Sequence, residues 1–130
     1  MKINLKHKEG SEILEIHGEI DLYGSPNLRE QFNGLVALKK PSVIANLKDV
    51  SYIDSSGLAT FIEAYQRLSA YNGQLILCHL SETVRGVFEI ARLEMQIYSI
   101  ASIKTHRVKQ YLRAFDSYLT QAIGIVGVAL

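Results

Sequence analysis

Residues 2–6 alternate, with Ile3 and Leu5 apolar between Lys2, Asn4 and Lys6, the period-two mark of a β-strand. Glu9-Gly10 offers a turn, and residues 13–20, with Leu14 and Ile16 on one side, read as a second strand. The two pair as an antiparallel hairpin. Ser25-Pro26 then reads as a helix start, with Ser25 as N-cap and Pro26 in the first helical position. Leu28, Phe32, Leu35 and Val36 follow at helical spacing, and Pro41 closes the stretch. Residues 42–47 hold the apolar run Val43-Ile44-Ala45, suited to a strand covered on both faces. Lys48-Asp49 reads as a turn.

A second amphipathic pattern, Leu58, Phe61, Ile62, Tyr65 and Leu68, ends at Asn72-Gly73, two residues that tolerate the left-handed cap conformation. Residues 74–80 form another apolar strand. Ser81 is placed to cap a third helix with Val84, Val87, Phe88 and Ala91 on its inner side. Ile97 and Tyr98 suggest a short edge strand, and Val108, Tyr111, Leu112, Phe115 and Leu119 suggest a last helix. The resulting order is β-β-α-β-α-β-α-β-α. It predicts an α/β fold with a mostly parallel sheet, an N-terminal antiparallel hairpin and helices packed on the sheet.

Length and composition fit this picture. At 130 residues with 48% apolar and 21% charged side chains, the chain suits one compact domain with a real core. Lysine and arginine number 14 against 13 acidic residues, which gives no electrostatic reason for nucleic acid or an anionic membrane as partner. Cys78 is the lone cysteine, set in the apolar run Leu75-Ile76-Leu77, and reads as a buried inert thiol in a reducing compartment. The N-terminus lacks the apolar stretch of a signal peptide. The longest apolar run, residues 123–130, falls far short of the roughly 20 residues that span a bilayer. A cytoplasmic location follows, with no membrane insertion. Beyond about residue 116 the chain loses nearly all charge, so residues 1–115 are expected to form the domain and 116–130 an apolar extension.

The chemistry concentrates in Asp54-Ser55-Ser56-Gly57, between a strand and a helix. Aspartate and serine are preferred helix caps, since their oxygens accept bonds from free backbone N–H groups. One cap needs one side chain, yet three are offered. The glycine keeps the surface low for the approach of another molecule. A serine at a helix N-terminus tolerates a phosphate, because the dipole and free N–H groups favour negative charge.

Two stretches resemble the STAS domain (sulfate transporter and anti-sigma factor antagonist), and within it the free-standing anti-sigma factor antagonists. One is Gly18-Glu19-Ile20-Asp21-Leu22-Tyr23-Gly24-Ser25-Pro26-Asn27-Leu28-Arg29. The other is Leu47-Lys48-Asp49-Val50-Ser51-Tyr52-Ile53-Asp54-Ser55-Ser56-Gly57-Leu58. Their order and separation fit the family over about residues 1–112. The resemblance implies that the unphosphorylated chain binds an anti-sigma factor, itself an ATPase-fold serine kinase, and so frees a sigma factor. Phosphorylation of Ser55 would end that binding, and a PP2C-type phosphatase would restore it. Asp54 would orient the serine, Asp21 would lie beside it, and Tyr23, Ser25, Ser56 and Gly57 would complete the partner-binding surface. A monomer or weak homodimer without a cofactor is implied. The chain departs from the family pattern at Ala59, where many relatives carry glycine, and in its longer, more apolar tail.

Two other readings compete. A related STAS subunit docks on a permease of lipid-transport ABC complexes, or sits in a signalling scaffold; the intact Asp54-Ser55 pair and the first motif favour the antagonist. Catalysis finds little support: His7, His17, His79 and His106 are scattered, none falls at metal-ligand spacing, and the P-loop, dinucleotide fingerprint and nucleophile elbow are missing. Tyr65, Tyr98 and Tyr111 read as core residues, while Tyr23 and Tyr52 flank the proposed site.

Overall fold

The computed structural model describes residues 1–8, 10–90 and 96–98. The elements run β1 (Lys2–Lys8), β2 (Ser11–Ile20), α1 (Ser25–Ala37), β3 (Ser42–Ile53), α2 (Ser55–Ser69), β4 (Gln74–Cys78), α3 (Glu82–Ile90) and β5 (Gln96–Tyr98). They form one five-stranded sheet in the order β1-β2-β3-β4-β5. The β1–β2 pair is antiparallel, with Ile3 opposite Ile16 and Leu5 opposite Leu14; every other pair is parallel. The α/β architecture expected from the alternating pattern is the one observed. The expected last helix, the 116–130 extension, Ala91, His106 and Tyr111 lie outside the described residues.

Alternation in the strands sorts the core. Leu14, Ile16, Val43, Ala45, Leu47, Leu75 and Leu77 face the helices and are buried with Leu28, Phe32, Phe61, Leu68, Val84 and Phe88. Phe61 of α2 sits in the middle. Its ring lies 5.5 Å from Phe32 of α1 and 5.5 Å from Phe88 of α3, both edge-to-face. This geometry sets the negative ring face of one partner against the positive edge of the other. One side chain thereby fixes three helices relative to each other. Arg29 and Arg67 both pair with Glu63 at 2.9 Å on the solvent side of α1 and α2. Exposed pairs of this kind contribute little to stability beside the ring contacts.

Helix ends follow the sequence in part. Ser81 caps α3 through a bond from the Val84 N–H, 3.2 Å. Asn72 takes φ 64° behind α2, and the Gly73 N–H donates to the Leu68 carbonyl at 2.7 Å. Two local expectations are corrected. Lys48-Asp49 is not a turn: β3 runs through both residues to Ile53. Polarity there marks exposure, since β4 pairs only with residues 42–46 and the strand continues past its neighbour. Ser25 is not the cap of α1 either. Gly24 holds that place, in helical conformation and without a side-chain cap bond, and Ser25 already belongs to the helix.

Cys78 is buried, and burial pushes its thiol up to about 12, which makes it an unreactive core group. His17 lies in β2 and contacts Asp49 at 2.9 Å. His79 sits just past β4 at φ 60° rather than in a strand, and burial together with the positive charge of Lys48 lowers its pKa.

Phe61→Ala should leave a cavity between all three helices. A loss of about 3–5 kcal/mol of unfolding free energy is expected in urea titration, typical of buried phenylalanine truncation. A loss below 1 kcal/mol would show that the three-helix contact through this ring is not what holds the layer.

Candidate functional site

The parallel strands β2 and β3 end side by side, with Ile20 paired to Ile53. Both chains then leave the sheet at its carboxyl end, where open α/β sheets form their binding crevices. The β2–α1 loop, residues 21–24, and the first turn of α2 are therefore brought together. Asp54 is the N-cap of α2, extended at φ −102°, ψ −174°. Its Oδ1 accepts from the Ser56 N–H at 2.9 Å, the Gly57 N–H at 3.0 Å and the Ser56 hydroxyl at 2.5 Å. Its Oδ2 accepts from the Leu22 N–H at 3.1 Å, across 32 residues of sequence. The Asp54 N–H donates to the Ile20 carbonyl at 3.2 Å.

These donors favour the ionised carboxylate. The Ser56 hydroxyl and then the Gly57 N–H are the main causes holding Asp54 below the usual aspartate value. Asp21 does the matching work in its own loop, its Oδ1 accepting from the N–H groups of Tyr23 and Gly24, both at 3.0 Å. Two aspartates thus organise two adjoining turns, and the Leu22 N–H joins them.

The adjacent serines differ sharply. Ser56 is half-buried, and its hydroxyl is engaged by Asp54 and by the Ser25 hydroxyl at 3.1 Å. Ser25, buried, also donates to the Asp21 carbonyl at 2.6 Å. Ser55 is exposed, and among the described residues its hydroxyl has no hydrogen-bond partner. It is the first residue of α2, where the helix dipole presents positive charge.

Gly57 is required for a reason other than the one its place in the motif suggests. It is buried, and a Cβ there would lie 2.6 Å from the Ile20 carbonyl oxygen and 2.8 Å from a side-chain carbon of Ile53. The missing side chain lets α2 sit directly on the strand ends; the close approach is inside the chain. Tyr23 is 90% exposed and Tyr52 46%, which leaves both free for contact with another molecule. Leu22, 67% exposed, was not singled out by sequence reasoning. The available signal was an apolar residue between Asp21 and the loop glycine. What the sequence could not convey is that its backbone N–H reaches Asp54.

The arrangement offers an exposed nucleophilic oxygen, a fixed anionic neighbour and a rim of exposed apolar side chains. Among the described residues no histidine or cysteine hydrogen-bonds to Ser55.

The STAS domain family matches residues 2–109. The chain is 36% identical over 94 residues to the anti-sigma-B factor antagonist of Bacillus subtilis (strain 168), covering 72% of this chain and 85% of that protein. With the anti-sigma-B factor antagonist of Listeria monocytogenes it shares 33% identity over 95 residues, 72% of this chain and 82% of the relative. A putative anti-sigma factor antagonist from Thermotoga maritima superposes with a TM-score of 0.72 at 19% identity, covering 87% of this chain and 94% of that one. The phosphorylated form of the Bacillus cell fate determinant SpoIIAA gives 0.66 at 21% identity, covering 86% and 97%. These structural likenesses concern the fold.

Two variants test this geometry. Gly57→Ala should cost on the order of 1–3 kcal/mol in denaturant titration, because backbone and not a flexible side chain blocks the new methyl; an unchanged midpoint would mean the helix shifts freely. Asp54 has a folded pKa below its ordinary 3.8. Its contribution is therefore complete above about that pH and is lost as pH falls through the folded value. Asp54→Asn should flatten the fall of melting temperature between about pH 5 and pH 2. Parallel profiles for the two proteins would contradict the role given to these bonds.

Proposed function

The chain belongs to the STAS domain family and, within it, to the anti-sigma factor antagonists, and from that premise we propose that it is a phosphorylation-switched binding protein of the partner-switching kind. Its unphosphorylated form binds an anti-sigma factor and frees the sigma factor. The anti-sigma factor is an ATPase-fold serine kinase that transfers phosphate from ATP to Ser55 and so ends the complex. A PP2C-type phosphatase removes the phosphate. The chain itself is a regulator and not an enzyme, and it acts in the cytoplasm. No helix among the described residues is long and apolar enough to cross a membrane.

The observation that carries this reading is the contrast between the two serines. Only Ser55 offers an exposed, unengaged hydroxyl, whereas the Ser56 hydroxyl is held between Asp54 and Ser25. The docking surface is formed by Asp21, Tyr23, Asp54 and Ser56, with the buried Ser25 and Gly57 supporting it from beneath. Within it, Tyr23 supplies apolar contact, Asp54 and Asp21 shape and charge the loops, and Ser25, Ser56 and Gly57 keep them in place.

Electrostatics explains the direction of the switch. A phosphate adds roughly −1.5 to −2 charge at neutral pH. At a helix N-terminus such a charge is usually absorbed by free N–H groups. Here Asp54 has already taken those of Ser56 and Gly57. Arg29, a cation of the first motif, is paired with Glu63 at 2.9 Å. The added charge therefore joins a fixed carboxylate, and burying both in an interface is costly. The fold has no reason to change, so affinity and stability separate.

Affinity capture from the source cell should recover an ATPase-fold kinase rather than a permease. With that kinase and ATP, wild type should be labelled on Ser55, and Ser55→Ala should lose the label. Ser55→Asp should bind the kinase at least about tenfold more weakly, a loss of roughly 1.4 kcal/mol, with its melting temperature nearly unchanged. Label on Ser56 alone, or equal affinity for wild type, Ser55→Ala and Ser55→Asp, would sink the switch at Ser55.

A further inference from the structure

Hydrogen bonds hold the β2–α1 loop from within. The Asp21 carboxylate gathers the Tyr23 and Gly24 N–H groups, and the Leu22 N–H reaches Asp54. The Leu22 and Tyr23 side chains are exposed, so residues 21–24 send no apolar side chain of their own into the core. Hydrogen bonds at a solvated loop compete with water and contribute modestly. An apolar anchor from another element therefore matters here.

Met1 supplies that anchor. β1 is antiparallel to β2 with Lys2 opposite His17, so β1 starts at the carboxyl end of β2, where the loop begins. The Met1 backbone lies against Gly18, on which a Cβ would stand 3.4 Å from the Met1 Cα. Its side chain runs forward to Gly24. A Cβ on Gly24 would lie 3.1 Å from the Met1 sulfur, 3.2 Å from its terminal methyl and 3.3 Å from the Glu19 carbonyl oxygen. Gly24 has φ −86°, a value any residue adopts. The backbone does not call for glycine at this position; the methionine seated on it does. Met1 also walls a cleft of about 330 Å³ whose other sides are Glu19, Asp21, Tyr23, Gly24 and Asn27.

We infer that Met1 is a positioning residue of the partner-binding surface: its thioether, seated on Gly24, fixes the β2–α1 loop and with it Asp21 and Tyr23. The inference rests on the reading that this loop meets the anti-sigma factor. An unbranched, polarisable thioether suits the place, because it fills an irregular gap between strand and loop. Leucine keeps most of that apolar bulk, whereas alanine leaves the seat on Gly24 empty. Met1 is 40% exposed, so its truncation opens no sealed cavity and the core beneath α1 and α2 keeps its packing. Loop order and global stability are therefore separable.

Met1→Ala and Met1→Leu are to be made in the full chain, released from an amino-terminal fusion so that residue 1 is kept. Amide exchange is followed together with affinity of the unphosphorylated chain for the captured kinase, without ATP. In Met1→Ala the Leu22, Tyr23 and Gly24 amides should exchange at least about tenfold faster, with those of Phe61 and Ala64 unchanged. Kinase affinity should fall by about three- to tenfold at a nearly constant melting temperature, and Met1→Leu should restore both. Gly24→Ala, which unseats the methionine, should loosen the same amides, and combining it with Met1→Ala should add little, since both act on one contact. Unchanged loop exchange in Met1→Ala, or acceleration spread evenly over the chain, would overturn the inference. A loosened loop with unchanged affinity would overturn the role in binding. Both readouts precede phosphate transfer, so a Ser55 that takes no label would sink the switch and leave this inference standing.

Discussion

The carboxylate of Asp54 holds the functional end of this molecule together. Four hydrogen bonds converge on it, three from the first turn of α2 and one from Leu22 in the β2–α1 loop. Local capping alone would need only the first set. The bond from Leu22 turns a cap into a clasp between two connections far apart in sequence. Because the loop donor is a backbone N–H, the clasp survives variation at Leu22 and Tyr23. Those side chains are free to specify a partner while the loop stays in register.

The clasp is possible because of how α2 meets the sheet. Gly57 lets the helix backbone rest on the Ile20 carbonyl. Phe61, one turn later, locks the same helix between α1 and α3. The first turn of α2 is thus anchored from below by its missing side chain and from behind by the aromatic contact. The first turn so anchored presents Ser55 at a fixed position.

Two neighbouring serines divide the work. The Ser56 hydroxyl belongs to the internal network with Asp54 and Ser25, and Ser25 extends that network to the Asp21 carbonyl. Ser55 stands outside it. The same carboxylate that stabilises the turn also occupies the Ser56 and Gly57 N–H groups. Structural capping and the local electrostatics of this turn therefore depend on one group.

Among the described residues, periodicity by itself determined the order of elements from β1 to β5, the antiparallel hairpin and the inner faces of the helices, since burial on one side forces apolar spacing of two in strands and 3.6 in helices. It also placed Asp54 and the Ser81 cap correctly, because capping is a local bond within three residues. Lys48-Asp49 was misread as a turn and Ser25 as a cap for one shared reason. Both are polar residues whose setting is decided by distant chain: β3 outruns β4, and Ser25 turns its hydroxyl to Asp21 and Ser56. In the same way, no spacing rule separates Ser55 from Ser56 or points Gly57 inward. Those distinctions arise only when α2 is set down on the ends of β2 and β3, where contacts across more than 30 residues decide which groups are free and which are already used.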